Sequence, residues 1–305
     1  MQEKPATHTP GPEKPIRQMP LDAAVAGPLF MLSAALLFTV MNLLVKLLGP
    51  EFSVWHIGFY RFFGGLAVIW ALFGRHQNPY RGNNIRLLII RGCIGSMAFI
   101  AIITAIRLIP LSAALVIFYS FPAFAAVFSF LLYGERIGKF EIVCIAAVLV
   151  GVGILFDFQL AGGLWGQIMA LVGAAFAGLT VTLIKTLRQK NGPVVIYFYF
   201  CTMGALVTLP KFVLHPVWPE TPLVVVMILG IIFASLAAQL LMNQGFFYCR
   251  GWEGGVLMSS EVVFTAVVGI LFLGDPTTPR FWIGGILIFS SVVVLNWTKS
   301  KRNKP

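Results

Sequence analysis

An ionisable side chain at the centre of a membrane-spanning helix costs roughly 2.5–3.5 kcal/mol on insertion scales, so one found inside an apolar run has a reason to be there. Glu261 is such a residue, seven positions into the run 254–273, or roughly 10 Å deep at 1.5 Å per residue. Met258, Glu261 and Thr265 follow one another as i, i+3 and i+7 and so share a helical face. A carboxylate placed there can carry a proton or a cation, accept a substrate amine, or tether a neighbouring helix. Arg61 lies at similar depth in 54–73, among Phe59, Tyr60, Phe62 and Phe63. It can meet a substrate carboxylate, snorkel outward, or pack its cation on the rings.

Polar uncharged groups form further stripes. Ser235, Gln239 and Asn243 recur every four residues in 222–248, followed by Gln244. Amides there can read a polar substrate or join helices by hydrogen bonds. Thr39, Asn42 and Lys46 make an i, i+3, i+7 stripe in 28–48, with Asn42 as the site candidate and Lys46 as an anchor near the interface. Pro122 cannot donate to the carbonyl of Phe118, which frees an acceptor beside Tyr119 and Ser120. Pro122 is therefore a candidate for gating. Tyr119, Ser120 and Ser260 complete the set of candidate substrate-facing groups.

The elements that must position these groups follow from composition. Hydrophobic residues make up 58% of the chain and charged residues 11%, with a mean hydropathy of +0.89. Soluble domains carry about 25% charged residues. About 20 apolar residues cross a bilayer as a helix, and on that ruler the sequence predicts ten spans: 28–48, 54–73, 86–107, 110–132, 139–156, 163–186, 193–213, 222–248, 254–273 and 280–297. Runs of this length without period-2 alternation exclude a barrel. Residues 1–27, with Pro5, Pro10, Pro12, Pro15 and Pro20, read as a disordered tail, and 298–305 as a short basic one. The four cysteines show no CxxC spacing and read as small buried residues.

The net charge of +11 does not point to nucleic acid, because the basic residues sit mostly between the apolar runs. Fifteen Lys and Arg fall in the tails and the even-numbered gaps, against Arg107, Lys211 and Arg280 in the odd-numbered ones. By the positive-inside rule both termini are cytoplasmic. The chain also repeats itself. A shift of 140 residues lays Ser120 on Ser260, Phe124 on Phe264, Leu131 on Leu271, and Gly134-Glu135 on Gly274-Asp275. Each copy holds five spans, over 28–156 and 163–297. An odd number sends the second copy into the membrane from the opposite side, giving an inverted repeat of the kind used for alternating access.

Two five-helix halves, Arg61 in the second span, Phe118-Tyr119-Ser120-Phe121-Pro122 before Gly134-Glu135-Arg136, and Ser260-Glu261 before Gly274-Asp275 together resemble the drug/metabolite transporter superfamily. Within it the EamA-type transporters are the nearest in pattern. The resemblance covers about 28–297. It implies an all-α carrier of ten helices with a central cavity lined by helices 1, 3, 4, 6, 8 and 9. The second half departs from the family pattern, with Glu261-Val262 in place of Glu-Pro and Gly274-Asp275-Pro276 in place of Gly-Glu.

Rival classes have little to stand on. Gly134-Glu135-Arg136-Ile137-Gly138-Lys139 has the wrong spacing for a P-loop. No HExxH or GxSxG occurs, and the histidines lie in the tail or near span ends. The reading is a secondary-active carrier in the inner membrane, not an enzyme, with no cofactor or metal. Its partners are the lipid bilayer and a small organic metabolite such as an amino acid, moved outward or by exchange. Proton coupling stays open, as does a monomer or homodimer. The alternatives are a channel-like pore or a lipid-modifying membrane enzyme.

Overall fold

The computed structural model describes residues 21–73, 80–134, 138–155, 163–187, 190–248 and 257–302. Their regular elements are all helices: α1 (Leu21–Leu47), α2 (Val54–Phe73), α3 (Ile85–Leu108), α4 (Leu111–Phe118), α5 (Phe121–Tyr133), α6 (Lys139–Leu155), α7 (Gly163–Leu187), α8 (Pro193–Leu214), α9 (Pro222–Tyr248), α10 (Ser260–Leu273) and α11 (Pro279–Arg302). Helices satisfy every backbone N–H and C=O within the segment, which is what an apolar surrounding demands. Among the described residues six segments are long and apolar enough to cross a membrane: Ala26–Leu47, Ile85–Leu108, Leu111–Tyr133, Gly163–Ile184, Pro193–Leu214 and Pro222–Met242. The helix α1 begins at Leu21, ahead of the expected edge at residue 28, because Ala23, Ala24 and Ala26 extend it with good helix formers.

The surface is apolar on its outside. Leu271 and Phe272 are 72% and 75% exposed, and Trp70, Leu131, Val213 and Ile286 also face outward. A skin of this kind is solvated by lipid rather than water. Inside, Val45, Leu48, Phe52, Ile106, Ile109, Leu111 and Leu115 belong to one buried cluster where α1, α3 and α4 approach.

The main packings join the first half of the chain to the second. The helix α1 lies along α9, α3 along α7, α2 along α8, α6 along α11, α1 against α10, and α5 against α7. Exchanging the halves maps this set onto itself. Close approach is secured where α7 meets α5. A Cβ on Gly178 would fall 2.7 Å from the Ala125 nitrogen and 2.8 Å from the Phe121 oxygen.

The expected fourth span is interrupted. Helix α4 ends at Phe118, a turn occupies Tyr119 and Ser120, and α5 begins at Phe121. Pro122 thus sits in the first turn of α5, where its missing N–H leaves no helical bond unmade. The second half breaks at the repeat-equivalent place: Leu257 and Met258 are helical, Ser259 is a turn, and α10 starts at Ser260. There is no proline at that point. The backbone turns alike in both, with Tyr119 at φ −71°, ψ 5° and Ser259 at φ −63°, ψ −14°, while the tightened bonds fall on either side of the turn, Ser120 N→Ile117 O before the first and Val262 N→Ser259 O after the second. Both pieces then end on a left-handed glycine, Gly134 at φ 64° and Gly274 at φ 66°. Asp275 N closes the second end by donating to Gly269 O at 3.0 Å.

Candidate functional site

Glu261 occupies the first turn of α10, immediately after the second break, where a negative charge is favoured by the helix dipole. It is buried, and two side chains from the first half hold it. Asn42 of α1 donates its Nδ2 hydrogen to Oε1 at 3.0 Å, and the Tyr119 hydroxyl donates to Oε2 at 2.6 Å. The stripes read from the sequence therefore meet face to face. One turn along, Thr39 and Thr265 bond through their hydroxyls at 3.2 Å.

The Tyr119 oxygen also lies 3.0 Å from the carbonyl of Met258. A phenol has one proton to donate and an oxygen that can also accept. With Glu261 ionised, Tyr119 donates to the carboxylate. With Glu261 protonated, the carboxyl can donate to the phenol, which then donates to Met258. The same three groups satisfy either charge state without moving apart.

Arg61 lies in a separate compartment. It is 2% exposed, and its guanidinium carbon sits 4.1 Å from the ring centre of Phe99, 5.0 Å from Phe62 and 5.3 Å from Phe200. Arg91 of α3, 5% exposed, stands 4.8 Å from the same Phe200 ring. In both arginines Nε and Nη1 have no hydrogen-bond partner.

A third group of charges ties one end of the bundle. Lys46 donates to Ile106 O at 2.7 Å and Ile109 O at 2.8 Å, while Arg107 donates to Val45 O, Leu48 O and Gly49 O. Each cation caps the carbonyl end of the other's helix, where the dipole is negative. Lys46 is therefore not an outward-reaching anchor. Beside them Asp275 accepts from Ser112 N at 2.8 Å and Ser112 Oγ at 2.7 Å, joining the start of α4 to the end of α10.

Of the residues proposed from sequence, Asn42, Tyr119 and Glu261 come together. Ser120 is fully buried at the first break with its hydroxyl unpartnered. Ser260 Oγ turns back to Leu257 O at 2.6 Å, a bond to its own helix path. Ser235 likewise bonds Ile232 O, and Gln239 is half-buried on α9. The side chain of Asn243 lies outside the described residues. Arg61 belongs with Arg91 rather than with Glu261. The sequence reading missed Arg91, Ser112 and Asp275 as partners. Arg91, five residues into the span 86–107, carried the same kind of signal as Glu261. Among the described residues Cys93, Cys144 and Cys201 are free thiols, and no cluster of three or more His, Cys, Asp or Glu side chains could hold a metal.

Known proteins carry the same pattern. The EamA-like transporter family matches twice, over residues 25–156 and 164–297. The pseudopaline exporter CntI of Pseudomonas aeruginosa is 28% identical over 282 residues, covering 92% of this chain and 99% of its own. Human solute carrier family 35 member G1 is 23% identical over 297 residues, covering 90% and 81%. One solved crystal structure superposes with a TM-score of 0.61 at 18% identity, covering 92% of this chain and 99% of its own, which speaks to the fold alone. The chain belongs to the EamA-like transporter family and is a multi-pass membrane transporter.

Proposed function

We propose that this member of the EamA-like transporter family is a secondary-active carrier that exports or exchanges a small organic metabolite, such as an amino acid or a related compound, by alternating access. The observation that carries the reading is the seat of Glu261. A buried carboxylate at a break in the second half is held by Asn42 and Tyr119 of the first, so any rocking of one half against the other must remake those bonds. The three-group network accommodates a proton on Glu261 or its absence, which is what coupling to a proton or a substrate amine requires. Tyr119-Ser120 and Ser259 are the hinges in this reading, and Pro122 assists the first by starting α5 cleanly. Gln239 and Asn243 belong to α9, the helix packed along α1, and in this reading they contribute to the polar lining. The exchange of packings between halves supports ten crossings arranged as two inverted five-helix repeats, with both termini cytoplasmic and the protein in the inner membrane. The export relative in Pseudomonas aeruginosa favours outward movement of an organic solute.

The test is flux. Purified protein is first screened against amino acids, nucleotides and vitamins for a rise in melting temperature, and the stabilising compound is then used in proteoliposomes. Saturable uptake stimulated by the same compound inside the vesicle supports a carrier. Non-saturating flux would replace it with a pore, and chemical conversion of the compound with an enzyme. Labelling of single cysteines at each terminus tests the crossing number, because termini in different compartments would break the five-plus-five arrangement.

A further inference from the structure

Arg61 and Arg91 take no part in the Glu261 network, and their surroundings do not neutralise them. Both are buried, and a guanidinium in a protein stays protonated. The buried carboxylates among the described residues are engaged elsewhere: Glu261 with Asn42 and Tyr119, Asp275 with Ser112, and Glu141 with the Gly138 nitrogen. Phe62, Phe99 and Phe200 supply aromatic contact to the cations. A ring, however, attracts the face of a guanidinium and leaves the N–H edge unbonded. That edge is the part shaped for a planar oxyanion.

We propose that the junction of α2, α3 and α8 is a binding site for an organic oxyanion, a carboxylate or a phosphate group, received by the unbonded Nε and Nη1 hydrogens of Arg61 and Arg91 around the ring of Phe200. Two like charges against one ring repel each other, and a ligand of opposite sign removes that repulsion while filling the vacant donors. Both cations approach that one ring, with guanidinium carbons 5.3 Å and 4.8 Å from its centre. The site is thus centred on that ring and suits a molecule with a planar acid group and an apolar body among the aromatic side chains. Nearby, the Thr180 methyl of α7 and the Phe200 ring both lie over Gly95, and the Thr180 hydroxyl is buried without a hydrogen-bond partner. The inference rests on the carrier reading only in taking the anion as cargo; the binding itself does not need it.

The test uses the purified full chain in detergent, with melting temperature measured against sodium benzoate, sodium succinate and sodium phosphate, each compared with sodium chloride at equal ionic strength. At least one of the three should stabilise saturably beyond chloride, and the contrast between carboxylates and phosphate identifies the group. Arg91→Gln should weaken the apparent affinity at least tenfold. Arg91→Lys, which keeps the charge and loses the fork, should weaken it less. A flat response to all three anions overturns the proposal, as does an unchanged response in Arg91→Gln. If that variant does not fold, an Arg91→Lys protein with unaltered affinity for the stabilising anion overturns it. Because binding is read from stability without a membrane gradient, loss of anion binding leaves the flux result standing, and absence of flux leaves the binding result standing.

Discussion

Glu261 and Arg61 each lie seven residues into an apolar run, and the protein surrounds them in opposite ways. The carboxylate has Asn42 and Tyr119 directed at it from the other half of the chain, with Met258 O as a second acceptor for the phenol. The guanidinium has three aromatic rings and no partner for Nε or Nη1. A charge whose bonds are complete stabilises the packing it sits in. A buried charge with open donors does not, because its desolvation cost is uncompensated, and an apolar side chain in its place removes that cost. The contrast separates a group that holds two halves together from a group with bonding capacity to spare.

Stability measurements sharpen the contrast most. Glu261→Leu should destabilise the protein by on the order of 2 kcal/mol, since it leaves buried Asn42 without its acceptor, and the melting temperature should fall by several degrees. Arg61→Met should leave it unchanged or raise it when no anion is present. Equal losses from the two substitutions would erase the distinction. Tyr119→Phe comes next. It removes one bond to a charged group, worth roughly 1.5–3 kcal/mol, so transport should slow by about tenfold or more in the vesicle assay while Arg61 and its rings are untouched. Asp275→Ala addresses the tied end of the bundle. A side chain capping a helix start contributes about 1 kcal/mol, so stability should drop by about that much with the pH dependence of transport intact. An altered pH profile would mean that this end, and not Glu261, carries the proton. Ser260→Ala should do least, about 0.5 kcal/mol or less, because its hydroxyl bonds a carbonyl of its own helix path. A large loss of transport there would place Ser260 back among the substrate-facing groups.

Much of the carboxylate site was legible in the sequence, because a charge in an apolar run is conspicuous and the helical period fixes which neighbours share its face. Thr39 with Asn42 and Met258 with Glu261 and Thr265 were separate stripes; that they oppose one another depends on the fold. Tyr119 was visible only as a polar neighbour of Pro122. The interruption at Ser259 has no proline to announce it, and emerges from a turn that tertiary packing holds in place. Arg91 lies close enough to a span end to pass for a snorkelling side chain, and only the position of Phe200 on α8 unites it with Arg61. Lys46 looked like an interface anchor because its acceptors, the carbonyls of Ile106 and Ile109, lie 60 and 63 residues away along the chain.

The central claim is that Glu261 gains and loses a proton, or exchanges it for a substrate amine, as the halves alternate. The most direct measurement is the pH profile of uptake into proteoliposomes, with and without a pH gradient, for the native protein and for Glu261→Gln. The amide stands for the permanently protonated side chain. The account predicts that the native protein responds to the gradient, whereas the variant keeps counterflow and loses the response. Transport by Glu261→Gln with an unaltered pH profile would contradict it.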